Sequence, residues 1–302
     1  YYRKIPSRRS KKSNNQGSGC LMSFLKKNKA MDVVPEQKEK KDPDIWEFGQ
    51  RVTEPSENRV IGSCEAKNSR IVFRGKGNIL FLEDSVRLEN TVLNFNGDHA
   101  LVYLSSNTKH VYKIHIDAWR ETTVFFGRNN YFNGVLTAIV SERKNLVVGN
   151  DGVFSFGIWL RTADPHLIYD CATLERINSS RSILIGDHVW LGQNALILKG
   201  SAIGSGSILS AAAVLAGKNV SSNTIYAGNP ARKIKEGIFF SGESVHNYTE
   251  KQSEESMQFP DDRYIYQTSE ETISWSLFHQ GTPPAEKLYL PPPLHSICVS
   301  FQ

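Results

Sequence analysis

The chain has 302 residues, 39% of them hydrophobic and 10% aromatic, enough for one large domain or two smaller ones. The formal charge is +5, but residues 1–44 hold twelve Lys/Arg against five Asp/Glu, a net of +7 that leaves the remainder near −2. This places the basic character in a tail and argues against a nucleic-acid module, which needs a basic face interleaved with aromatics on folded structure. The four cysteines, Cys20, Cys64, Cys171 and Cys298, are too dispersed for a zinc cluster or a disulfide scaffold. No run reaches the roughly 18–20 apolar residues of a membrane span, and no secretory leader is apparent. The expectation is a cytoplasmic protein with reduced thiols.

In chain order, residues 1–57 read as a disordered basic tail or linker, rich in Lys, Arg, Ser and Asn. From 58 onward, short runs of Val, Ile, Leu and Phe alternate with Gly, Asn, Asp and Ser, the signal of strands and turns rather than helices. A loose coil is visible over 148–159, in the two segments Val148-Gly-Asn-Asp-Gly-Val153 and Phe154-Ser-Phe-Gly-Ile-Trp159. Residues 162–182 break the pattern and predict a protruding loop of the kind that carries function on a rigid scaffold.

After Ser182 the chain has a period of six. Ile185, Leu191, Ile197, Ile203, Leu209 and Leu215 are all aliphatic, and two residues before each later member stands Val189, Ala195, Ser201, Ser207 or Ala213. Strands repeat every two residues and helices every 3.6, so neither generates this spacing. A triangular prism of short parallel strands does. Six residues form each side, one aliphatic per side stacks inward, and the second inward position stays small for lack of room. Eighteen residues then make one coil, whose backbone groups pair with the coils above and below. The expected fold is all-β, a parallel β-helix over 58–240 with an irregular N-terminal end. Residues 241–302 form a C-terminal extension, largely irregular, with one short helix near 261–275 and a Pro-rich end.

The run from Asp164-Pro-His-Leu-Ile-Tyr169 through Arg176-Ile-Asn178 to Val189-Trp-Leu-Gly192, closed by Ala227-Gly-Asn-Pro-Ala-Arg-Lys-Ile234, resembles the bacterial hexapeptide-repeat O-acetyltransferases. It is most similar to those acting on capsular polysialic acid and other surface polysaccharides, and the likeness covers roughly residues 120–237. The resemblance implies a left-handed coil, against the usual crossover hand. It also implies acetyl-coenzyme A as co-substrate with no metal, a saccharide acceptor, and a homotrimer with sites between subunits.

Acetyl transfer to a sugar hydroxyl needs positioning, a base and an oxyanion donor. Imidazole titrates near neutrality, and His166 falls at the position of the family's general base. By resemblance Trp190, at a coil corner, lines the acetyl and acceptor site and Asn133 contacts the acceptor sugar; Tyr169 and Arg176 are loop residues suited to an anionic acceptor. Gln193, Ala211 and Gly217 fall at coenzyme contacts, and Lys218, Arg232 and Lys235 near its phosphates and adenine. Read without the resemblance, Asn133 is equally a turn residue and each cation a solvated surface charge. The same fold also hosts zinc carbonic anhydrases, for which His110 and His115 would need a third histidine. Cys171 is a conceivable nucleophile five residues after His166. Amino-sugar or xenobiotic N-acetylation, or a non-catalytic solenoid, are the remaining readings.

Overall fold

The computed structural model describes residues 44–46 and 57–266. The chain divides into a unit over 1–41 and a second over 42–302, and all described residues lie in the second. Its strands form a parallel β-solenoid of about seven turns with very little helix. One side is an eight-stranded sheet that includes Ile114–Ala118, Leu136–Val140, Trp159–Arg161, Leu196–Leu198 and Val214–Ala216. The second side is another eight-stranded sheet, containing Thr123–Phe126, Asn145–Val148, Ile183–Ile185 and Ala202–Ile203. The third is a six-stranded sheet through Tyr131–Phe132, Val153–Phe154, Trp190–Leu191, Ile208–Leu209 and Thr224–Ala227.

The period of six is the stacking of side chains across these three sheets. Ile185 pairs with Ile203, Leu191 with Leu209 and Ile197 with Leu215, and all six are at most 1% exposed. The small partners Ala195, Ser201, Ser207 and Ala213 are buried beside them, as the narrow interior demands.

The N-terminal end is irregular as the sequence suggested, but as a coil of longer and uneven step: 22 residues on most pairings, 23 between Leu93 and Ile116 and 24 between Leu88 and Tyr112. Leu104 pairs with Phe126 and Phe126 with Val148, a step of 22 residues, against 18 between Ile185 and Ile203. The difference lies at one corner. Ten residues separate inward Ala138 on the first side from inward Val148 on the second, whereas six separate Ile197 from Ile203. The wider section admits large residues, so Phe73, Phe95, Phe126, Phe132, Phe154 and Tyr112 are fully buried there. Phe73 and Phe95 stack with ring centres 4.6 Å apart. The Tyr112 hydroxyl is satisfied by donating to the Ser105 carbonyl at 2.7 Å.

The 162–182 loop leaves this same widened corner, where the coil step is 37 residues between Leu160 and Ile197. Below it the coils are wide and above it narrow. The loop therefore stands on a ledge.

Two further expectations are corrected at the ends. Asp44–Trp46, within the segment read as a tail, is a strand antiparallel to Arg70–Phe73; the rest of 1–56 lies outside the described residues. The short helix is Glu250–Glu255, capped by Thr249 and Gln252, and Asp261–Tyr266 are not helical. Residues 267–302 lie outside the described residues. The segment before Tyr266 is largely irregular, as expected, yet it packs on the solenoid. The His188 ring lies between Phe240 and Tyr264, with centres at 4.1 and 3.9 Å and planes within 5°. The Asn223 amide donates to the carbonyls of Ile238 and Tyr264, each at 2.8 Å.

Candidate functional site

The loop is a small irregular hairpin, bridged at Tyr169 and Arg176 and rooted in polar contacts. Asn178, 6% exposed, holds both arms: its amide donates to the His166 carbonyl at 2.8 Å and its oxygen accepts the Ile168 N–H at 2.9 Å. Lys199 Nζ, from the first narrow coil, lies 2.6 Å from Asp164 and donates to the Asn178 carbonyl at 2.8 Å. Arg176 meets Glu142 of the coil below in a two-pronged pair, 2.8 and 2.9 Å, and Ser180 donates to the same carboxylate. These donors hold Glu142 well below its usual range, at about 2, and Lys199 with Asn178 lowers Asp164. The loop's base is thus strapped to its own scaffold while Leu167, Ile168, Tyr169 and Ile177 stay half exposed or more.

His166 is exposed next to this anchor, and its ring has no hydrogen-bond partner among the described residues. Tyr169 is 51% exposed and free to meet a ligand. Arg176 is placed differently from a free acceptor contact, because Glu142 occupies both ends of its guanidinium. Glu142 and Lys199 were not legible as partners in the sequence; their contacts join residues 34 and 35 apart.

Trp190 lies on the flat third side rather than at a corner, since the corner residues are Asp187 and His188. Its neighbours Val189 and Leu191 point inward, fully buried, and Trp190 remains 39% exposed against Phe240 at 5.7 Å. Burial lowers the His188 pKa, and this ring backs Phe240 from below the surface. The glycine that follows, Gly192, is required by the coil: a Cβ there would lie 2.5 Å from the Ala211 nitrogen.

The remaining residues fall on two separate edges. Asn133, Gln193 and Ala211 lie on the corner between the third and first sides, with the Gln193 carbonyl accepting the Ala212 N–H at 2.7 Å. Asn133 is exposed, and the Tyr131 hydroxyl reaches it at 3.4 Å. Arg232 and Lys235 are exposed on the final hairpin strand, Arg232–Glu236, of the third side. Gly217 and Lys218 form the opposite corner, between the first and second sides, above the loop. One chain therefore sets His166, Tyr169, Gly217 and Lys218 on one edge, and Trp190, Asn133, Gln193 and Ala211 on the face and edge away from it. Among the described residues, no group of three or more His, Cys, Asp or Glu is placed to hold a metal ion. No helix among them is long and apolar enough to cross a membrane.

Comparison with known proteins agrees with the resemblance read from the residues. No protein-family profile matches the chain. It is 28% identical over 141 residues to a polysialic acid O-acetyltransferase of Neisseria meningitidis, covering 47% of this chain and 54% of that protein. It is 33% identical over 125 residues to one of Escherichia coli O1:K1, covering 41% of this chain and 40% of that protein. The chain thus spans about half the length of the curated relatives it matches. The crystal structure of the polySia-specific acetyltransferase NeuO superposes with a TM-score of 0.58 at 28% identity, over 66% of this chain and 93% of that one. Such neighbours are left-handed β-helices, and the solenoid takes their hand.

Proposed function

We propose that this chain moves an acetyl group from acetyl-coenzyme A to a hydroxyl of a surface polysaccharide, on an acidic sugar such as sialic acid, in the cytoplasm. What supports this reading most is the likeness to the polySia-specific acetyltransferase, which runs through nearly the whole of that chain. The step is a direct transfer. The sugar oxygen attacks the thioester carbonyl, His166 takes the hydroxyl proton, and the carbon–sulfur bond breaks to release coenzyme A thiolate, which is reprotonated. The Trp190 indole N–H or a nearby backbone N–H faces the developing oxyanion. The small corner residues Ala211 and Gly217 leave space for the pantetheine arm, Gln193 contacts it, and Lys218, Arg232 and Lys235 meet the coenzyme's phosphates and adenine.

The separation of His166 from Trp190 on one prism is the reason to place each site between two subunits of a homotrimer. The exposed apolar residues of the loop then meet a neighbour's third side, where Tyr131, Val153, Trp190, Ile208 and Ile225 stand in one outward row. Acetyl transfer is tested by coenzyme A thiol release with polysialic acid oligomers, neutral glycans, amino sugars and chloramphenicol. Release that depends on the acidic glycan supports the reading; release only with an amine or chloramphenicol replaces it. Mixing inactive His166→Ala and Trp190→Ala chains restores part of the activity if sites are shared. No recovery in mixed trimers, or an active monomer, refutes sharing.

A further inference from the structure

The widened corner beneath the loop encloses a groove of about 800 Å³ that no residue of the proposed transfer machinery lines. That is the upper range of small-ligand sites. Three successive coils build it, so two strand steps give it a length of roughly 10 Å. Trp119 is one wall, 46% exposed, Ile139 the floor, and Pro165 and Leu167 the roof. Those last two residues flank His166 in the chain, so the groove ends next to the base.

The charges here are nearly all matched within the protein. Asp117 accepts the amides of Asn94 and Asn96 at 2.8 and 3.3 Å. Glu142 is held by Arg176 and Asp164 by Lys199. Arg120 and Arg143 both pair with Glu121, at 2.9 and 2.7 Å. Arg161 is held less tightly: it points outward from the first side between Ile139 and Leu198 and lines the groove, its charge helps lower the Asp164 pKa, and its buried Nε has no hydrogen-bond partner among the described residues. Burial closes the Nε itself to a ligand, so the guanidinium meets the groove through its terminal nitrogens, and a planar carboxylate fits that end.

We propose that this groove is the acceptor subsite, in which Arg161 reads the carboxylate of an acidic sugar unit while Trp119 carries the face of its ring. The proposal rests on the acetyl-transfer reading only for the identity of the ligand as acceptor. Binding itself is independent of it. Carboxylate on Arg161 orients the sugar, and the groove's course toward Pro165 delivers a hydroxyl of that unit, or of its neighbour, to His166.

The test titrates the full chain, without acetyl-coenzyme A, with polysialic acid oligomers, with a polyuronate, and with carboxyl-reduced forms of each. Arg161→Gln should weaken binding of the carboxylated probe by about tenfold to a hundredfold and leave the reduced probe unaffected, as for a lost charged hydrogen bond. Arg161→Lys should restore part of the difference. Trp119→Ala should weaken both forms, and coenzyme A affinity should stay at the wild-type value in all variants. Preference for one acidic probe over the other identifies the source of the carboxylate. Equal losses on carboxylated and reduced probes, or a wild type that binds neither acid, would overturn the subsite. A wild type that binds the acid through Arg161 yet releases no thiol would instead overturn acetyl transfer and leave the subsite standing.

Discussion

The wide coils below the loop and the narrow coils above it share one sheet topology but differ in what they offer a ligand. The narrow half repeats every 18 residues, fills its core with Ile, Leu, Val and Ala, and leaves only small corners. All six residues assigned to the coenzyme lie there. The wide half repeats about every 22, fully buries six large aromatics, and spends its extra residues on a corner broad enough for a groove. In the proposed function, the change of period at the loop separates the residues assigned to the coenzyme from the groove proposed for the acceptor, with His166 between them.

The largest effect expected is at the seam. His166→Ala should lower kcat by about 10²–10⁴ with both KM values near wild type, since a general base acts in the transition state. Cys171→Ser, on the same loop, should leave turnover nearly intact. Steady-state kinetics on both variants decides this, and a His166→Ala enzyme with near-normal kcat removes the base.

Core substitutions test the two periods directly. Ile203→Phe should destabilise the narrow half by about 1–3 kcal/mol through overpacking, whereas Leu104→Phe, stacked on Phe126, should cost less than about 1.5 kcal/mol. Urea denaturation would measure both. Equal costs would mean that the wide interior has no spare room.

On the donor half, Lys218→Glu or Arg232→Glu should raise KM for acetyl-coenzyme A about fivefold to thirtyfold while the acceptor KM holds, as for losses of about 1–2 kcal/mol. Parallel rises in both would move the coenzyme elsewhere.

The smallest effect concerns the loop anchor. Glu142 is held at about 2 by Arg176 and Ser180, below its ordinary 4.5, so this anchoring is fully present above about pH 4.5 and is lost as pH falls toward 2. Its exposure to solvent keeps the contribution to global stability small. Proteolysis within 162–182 should therefore accelerate over that window, and Glu142→Gln should weaken the pH dependence, leaving the part that Asp164 contributes through Lys199. Unchanged dependence in the variant would assign the anchor to other groups.

The amino-acid sequence by itself determined the narrow coils, the loop and the candidate base. An inward position in a coil is selected locally, so Ile185 to Leu215 carry their fold on their faces, and an insertion that cannot enter a prism must leave it. The wide coils were harder to read because a 22-residue repeat divides unevenly among three sides, and Phe126 and Phe132 look like a failing pattern of six. Only the tertiary structure decided that Trp190 stands on a flat side, that Arg176 is a strut on Glu142, and that Arg161 lines a groove. Likewise His188 lies between Phe240 and Tyr264, closed by a hydrogen bond across 52 residues to the Phe240 carbonyl. Such pairings depend on which corners the coil brings above one another, and charge or aromatic matching over that distance leaves no periodic trace in the chain.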